Sequence, residues 1–129
     1  MKELKLAYSK VLPFKGYYAI MLWGYLIRRE KYKNTPVSET TWLHETIHLY
    51  QAYDFGIKSL GFIFFYLLYF LEWLLKLPMF IFGFSVYNSI SFEREAYNNQ
   101  KNLNYLQERK RFAWAKYIFK LVKKEKYEN

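Results

Sequence analysis

The 129-residue chain has no cysteine, which removes disulfide bridges and thiolate metal sites together; any metal ion must be held by histidine and carboxylate. Histidine is scarce too, with His44 and His48 the only two. Acidic residues are few, 11 Asp and Glu against 20 Lys and Arg, and the formal net charge is +9. The first residues, Met1-Lys2-Glu3-Leu4-Lys5-Leu6-Ala7, lack the continuous apolar stretch and small-residue cleavage site of a secretory leader, so a cytoplasmic or cytoplasm-facing location is expected. Internal repeats and low-complexity segments are absent from the sequence.

What is abundant is apolar and aromatic surface. The chain is 53% hydrophobic and 23% aromatic, with 14 Tyr and 12 Phe, a composition that excludes intrinsic disorder. Its length suits a single domain, residues 1–129, with one core and one site. Positive charge gathers near the end, where residues 101–129 carry nine Lys or Arg against Glu108, Glu125 and Glu128. Such a block can bind nucleic acid or form a solvated helix face. Beside long aromatic stretches it fits anionic lipid headgroups on the cytoplasmic side of a membrane.

Along the chain, Tyr17 to Ile27 is an aromatic and aliphatic run that predicts one long strand, or a hairpin broken near Gly24. Asn34-Thr35-Pro36-Val37-Ser38 is a turn and a helix start, with Thr35 or Ser38 as the cap. A helix is expected from about Glu39 to Phe55, closed by Gly56. Residues 57–87 form an apolar segment in which Glu72 and Lys76 are the only charges after Lys58, with Pro78 interrupting it. It admits three readings: a buried core helix, an interfacial or re-entrant hairpin turning at Pro78, and a true membrane span. Membrane association is expected on balance. After Asn88-Ser89 a helix is expected from about Ile90 to Gln107, and a basic amphipathic helix over about 110–123 completes the chain.

The chemistry rests on His44-Glu45-Thr46-Ile47-His48, an HExxH sequence inside the segment already expected to be helical. Residues four apart lie one turn above another, so both imidazoles face one side and can share an ion. Glu45 adjoins that face, where it can take a proton from zinc-activated water and pass it to the leaving group. Both histidines of the chain fall on this motif, and a cap precedes it while a glycine follows. The separate segment Phe92-Glu93-Arg94-Glu95-Ala96-Tyr97 offers a third ligand, with Glu93 preferred and Glu95 its competitor.

Together these residues resemble the gluzincin metallopeptidases, in which a second helix supplies a glutamate ligand within an ExxAD-like or ExxAN-like sequence. Glu93 aligns as that ligand. The resemblance implies a reduced zincin-like fold and a zinc ion held by His44, His48 and Glu93. It also implies an aromatic edge strand against which an extended peptide or protein substrate is laid. Tyr97 stands where the family places Asp or Asn to orient a ligand histidine, leaving Asn98, Glu95 or Gln51 to make that contact. Phe14-Lys15-Gly16, His44 to Gln51 and Phe92 to Tyr97 are also similar to segments of small membrane-associated HExxHxxQ proteins of no assigned activity.

The expected fold is therefore mainly α with a small antiparallel β element at its N-terminal end (α+β), and the expected activity is hydrolysis of a peptide bond. Two alternatives stand beside it. One is a non-catalytic membrane-associated module with a structural metal. The other is a nucleic-acid binder using the basic C-terminal segment, against which the HExxH in the other half of the chain argues.

Overall fold

The computed structural model of the protein describes residues 3–13, 17–56 and 58–124. Phe14-Lys15-Gly16 lies outside the described residues. The protein is mainly helical with small β elements.

A three-stranded sheet opens the fold, formed by β1 (Lys5–Ser9), β2 (Ile20–Leu22) and β3 (Tyr25–Arg29) in the order β1-β3-β2. The aromatic run is a hairpin, β2 against β3, with Leu22 opposite Tyr25 and Trp23-Gly24 as its two-residue turn. Both turn residues have positive φ, 53° and 90°, the backbone of the tight turn that matches strand twist. Trp23 tolerates that geometry because its ring stacks on Phe62 and Tyr66 at 5.2 and 5.9 Å, and its amide donates to the Tyr66 hydroxyl at 2.8 Å. The sheet is not purely antiparallel as expected, since β1 pairs with β3 in parallel, Leu6 opposite Leu26. Five residues with modest alternation carry little signal for such a partner, chosen across an intervening strand.

Helix α1 (Glu39–Asp54) begins at Ser38, whose hydroxyl accepts from the Thr41 amide at 3.1 Å, and ends with Phe55 and then Gly56 at φ 140°. Its middle is buried on several sides because β2, α2 and α4 all pack on it. Helix α2 (Lys58–Lys76) crosses close to the end of α1 at Gly61. A Cβ there would sit 2.5 Å from the Ala52 carbonyl oxygen and collide with that of Gly56, so only glycine permits the approach. Phe62 and Phe65 of α2 join Leu4, Met21, Leu26, Leu49, Ile90 and Phe92 in the main core.

The apolar segment is not a buried core helix. Only one face of α2 is buried, and after it Leu77–Phe82 forms a 3-10 turn with Pro78 in its first residues. The chain then enters β4 (Phe84–Ser85), the short helix α3 (Val86–Ser89), and α4 (Ser91–Asn99).

The expected helix to Gln107 stops at Asn99 and resumes as α5 (Tyr105–Glu108). The intervening polar run competes for backbone groups: the Asn99 amide donates to the Glu95 carbonyl at 2.8 Å, and Asn102 Oδ1 accepts from the Asn104 amide at 3.1 Å. The amphipathic helix over 110–123 is replaced by a 3-10 turn, Ala113–Tyr117, and β5 (Val122–Lys123), antiparallel to β4. Tertiary contacts override the helical pattern there. Arg109 and Arg111 are tied to Asp54, Phe112 takes a left-handed φ of 61°, and Trp114 packs on Phe92 at 4.7 Å.

Candidate metal centre

The HExxH turn lies in the most enclosed part of α1, where His44, Glu45, Thr46, Ile47 and His48 are all buried. Glu93 reaches it from the first turn of α4. Its Oε1 lies 3.0 Å from His44 Nε2 and 3.2 Å from His48 Nε2. Among the described residues, His44, His48 and Glu93 form the group able to hold a metal ion, each giving one ligand atom, all within 4.8 Å of one another.

The far sides of both rings are also held. His48 Nδ1 is 2.7 Å from Gln51 Oε1, and His44 Nδ1 is 2.8 Å from Gln100 Oε1. Gln51 is anchored in turn, since its amide nitrogen donates to the Phe92 carbonyl and to Glu95 Oε1, both at 2.9 Å. Those donations fix which end of the amide faces His48, so Nδ1–H is the donor and the Nε2 lone pair faces Glu93. A lone pair aimed at a carboxylate at this distance needs a cation beside it, either a proton or a metal ion. The residues present therefore fit a divalent cation, with Gln51 holding His48 so that Nε2 can ligate once its proton is displaced.

Charge follows the same geometry. Burial disfavours the charged form of Glu93, but the positive imidazoles and their hydrogen bonds outweigh it and hold its carboxyl well below the usual range. Burial likewise opposes protonation of His48, yet the Glu93 charge wins and the ring is pushed up to about 9 in the metal-free protein. Glu45 differs: burial pushes its carboxyl up, against the lowering effect of His48, His44 and a hydrogen bond with the Met21 backbone. Its Oε2 lies 4.0 Å from His44 Nε2, beside the ligand atoms without joining them.

The residues considered as alternatives separate cleanly. Glu95 points away from the ligand atoms into an ion-pair cluster with Arg109, which also binds Asp54 through Nη2–Oδ2 at 2.7 Å. Tyr97 sets its ring edge against His44, centroids 4.4 Å apart, and shares a 3.2 Å hydroxyl contact with Tyr87. Asn98 is exposed. The orienting contact expected from Asn98, Glu95 or Gln51 is made by Gln51 for His48 and by Gln100 for His44. Sequence reasoning missed Gln100, which lies one residue beyond α4 and 56 positions from its partner.

Tyr69 was missed as well. Its hydroxyl donates to Glu93 Oε2 at 2.7 Å, so each oxygen of the carboxylate has its own partner. Burial and the Glu93 charge push the phenol well above its ordinary value, keeping it a donor. A cleft of about 330 Å³ opens beside the cluster, walled by Ile20 and Met21 of β2 and by Phe65, Tyr66 and Tyr69 of α2, with Glu45, His48 and Glu93 along it. A mainly helical α+β protein thus carries a buried His-His-Glu group, with the Glu45 carboxylate beside it, at the side of a largely apolar cleft. Comparison with family models, with curated proteins and with solved structures returns no match to this chain.

Proposed function

We propose that this chain is a zinc-dependent metallopeptidase of the gluzincin kind, with His44, His48 and Glu93 as zinc ligands and Glu45 as general base. The reading is carried by one observation: two imidazole Nε2 atoms and a carboxylate oxygen from distant helices converge within 4.8 Å, with Glu45 beside them. A neutral nitrogen pair with one carboxylate, in a chain without thiols, suits zinc and leaves a fourth position open. When bound, zinc supplies Lewis acidity, drawing the pKa of water toward neutrality and polarising the scissile carbonyl.

The rest falls to the protein's own groups. Glu45, raised by burial, is suited to take a proton from the attacking water at neutral pH and deliver it to the leaving amine. Glu45, His48 and Glu93 are all buried, which limits the access of bulk water to that exchange. β2 lies at the sheet edge and walls the cleft, so an extended peptide laid beside it would send apolar side chains among Phe65, Tyr66 and Tyr69.

The test joins elemental analysis with turnover of a mixed quenched-fluorescent peptide library. The parent protein should hold one zinc per chain, and His44→Ala with His48→Ala should hold none. Glu45→Gln should keep its zinc and lose about 10²–10⁴-fold in rate, the contribution ordinary for a positioned acid–base group. A Glu45→Gln protein as active as its parent refutes the assignment.

A further inference from the structure

The two sides of α2 differ in kind. On the inner side Phe62 and Phe65 are buried, and Tyr66 and Tyr69 wall the cleft. The two charged groups of its C-terminal half also turn inward. Glu72 accepts from the Ser91 amide at 2.7 Å and from the Ser91 hydroxyl at 2.6 Å, and Lys76 reaches Glu72 at 2.7 Å and the Ser89 carbonyl at 2.5 Å. The charges that argue against membrane contact are therefore withdrawn from the outer face.

That outer face is an apolar stripe running the full length of the helix, from Leu60 through Ile63, Leu67, Leu71 and Leu74 to Leu75, which is 80% exposed. Residues 59–82 have a mean hydropathy of 1.7 with 17% of the apolar window buried, whereas the core helix of a soluble protein is mostly buried. Past Pro78 the stripe widens into a tip, with Ile81 at 80% and Phe82 at 70% exposure, and Phe119 stands out at 95%.

Lysines ring this tip. β5 sets Lys123 opposite Phe84, the Lys124 amide donates to the Gly83 carbonyl at 2.8 Å, and the Lys124 ammonium lies 3.0 Å from the Phe80 ring centroid. The Lys120 carbonyl accepts from Lys76 at 3.4 Å, which sets Lys120 beside the C-terminal end of α2, where the tip begins. Contiguous apolar surface of this extent marks an interaction site. Its cationic rim selects an anionic partner, and the stripe's length suits an extended planar one.

We propose that α2 and the Phe80–Phe82 tip dock the protein flat on an anionic phospholipid bilayer, the helix axis in the membrane plane, with Lys120, Lys123 and Lys124 at the headgroups. A lengthwise spanning pose would draw α1 and α4, packed along the inner side, into hydrocarbon with the Glu72–Lys76–Ser91 cluster. A flat pose immerses only the stripe. Anionic lipid is the mark of the cytoplasmic leaflet.

The test uses the full chain and vesicles of phosphatidylcholine with or without phosphatidylglycerol. Sedimentation should show binding at least about tenfold weaker to the neutral vesicles, as expected when several lysines face the headgroups. Replacing Ile81 and Phe82 by serine should weaken binding to anionic vesicles about tenfold again through lost apolar contact. Glu45→Gln should bind as the parent does, so docking is judged apart from catalysis.

Because the chain has no cysteine, single cysteines at Leu60, Leu67 and Leu74 can be spin-labelled, with Leu103 as the control on another surface. All three stripe labels should enter the bilayer to one shallow depth while the label at Leu103 stays in water. A depth profile peaking at Leu67 overturns the flat pose in favour of a span. Labels that respond to no vesicle, or stripe cysteines that cross-link two copies whether or not vesicles are present, overturn membrane docking.

Discussion

Gln51 shows how one side chain can set the electronic state of another. Its carboxamide oxygen accepts from His48 only because its nitrogen is occupied by Phe92 and Glu95, and that arrangement leaves Nε2 free as a ligand. Gln51→Leu keeps the volume but releases the ring, and zinc affinity should fall about 10–100-fold in competition with a chromophoric chelator, the usual effect of losing an orienting partner. Protons compete for the same lone pair. With His48 raised to about 9 in the metal-free protein, apparent zinc affinity should climb with pH and level off above about 9. An unperturbed imidazole would level off near about 6.5. The sign reverses for the metal-free fold: a raised folded pKa stabilises below the unfolded value, so that stability should decline as pH rises from about 6.5 toward 9. Titration calorimetry and thermal melts of metal-free protein across that range check the two halves.

At the scale of elements, the hairpin at Trp23-Gly24 and the span of α1 were legible because their signals are local: a glycine between two apolar runs, and a capping serine three residues before Thr41. The HExxH turn was legible for the same reason, its spacing being a property of one helix. Gln100 and Tyr69 were not, since their roles depend on α4 and α2 approaching α1, and neither residue type has a spacing that announces it. The C-terminal segment is not a helix although its amphipathic pattern is real, because tertiary contacts of Arg109, Arg111 and Trp114 outweigh it. The close crossing of α1 and α2 carries its own prediction. Gly61→Ala forces a methyl group against two backbone carbonyls, and the melt should report a loss of about 1–3 kcal/mol, the range for overpacking a rigid contact.

Across the molecule, one buried polar chain joins the C-terminal segment to the centre. Arg109 grips Asp54 of α1 and Glu95 of α4, Glu95 holds Gln51, and Gln51 holds His48. Arg109→Ala strands two buried carboxylates, and denaturant unfolding should show about 3–5 kcal/mol lost, the scale for breaking a buried ion pair. The same variant should bind zinc more weakly, because the support behind Gln51 is disturbed. Metal and fold are coupled in the opposite direction too: saturating zinc at about 100 times its dissociation constant should add about 2.7 kcal/mol to unfolding, removed by a chelator.

That chain of contacts restricts how relatives of this protein can diverge. Arg109 neutralises two acids at once, so a lineage that replaces it inherits surplus negative charge in its interior until Asp54 or Glu95 also changes. Replacing Glu95 in turn removes one of the two acceptors that keep the Gln51 amide from flipping. Substitutions at positions 51, 54, 95 and 109 should therefore appear as linked sets in an alignment, while the two histidines beside them stay fixed.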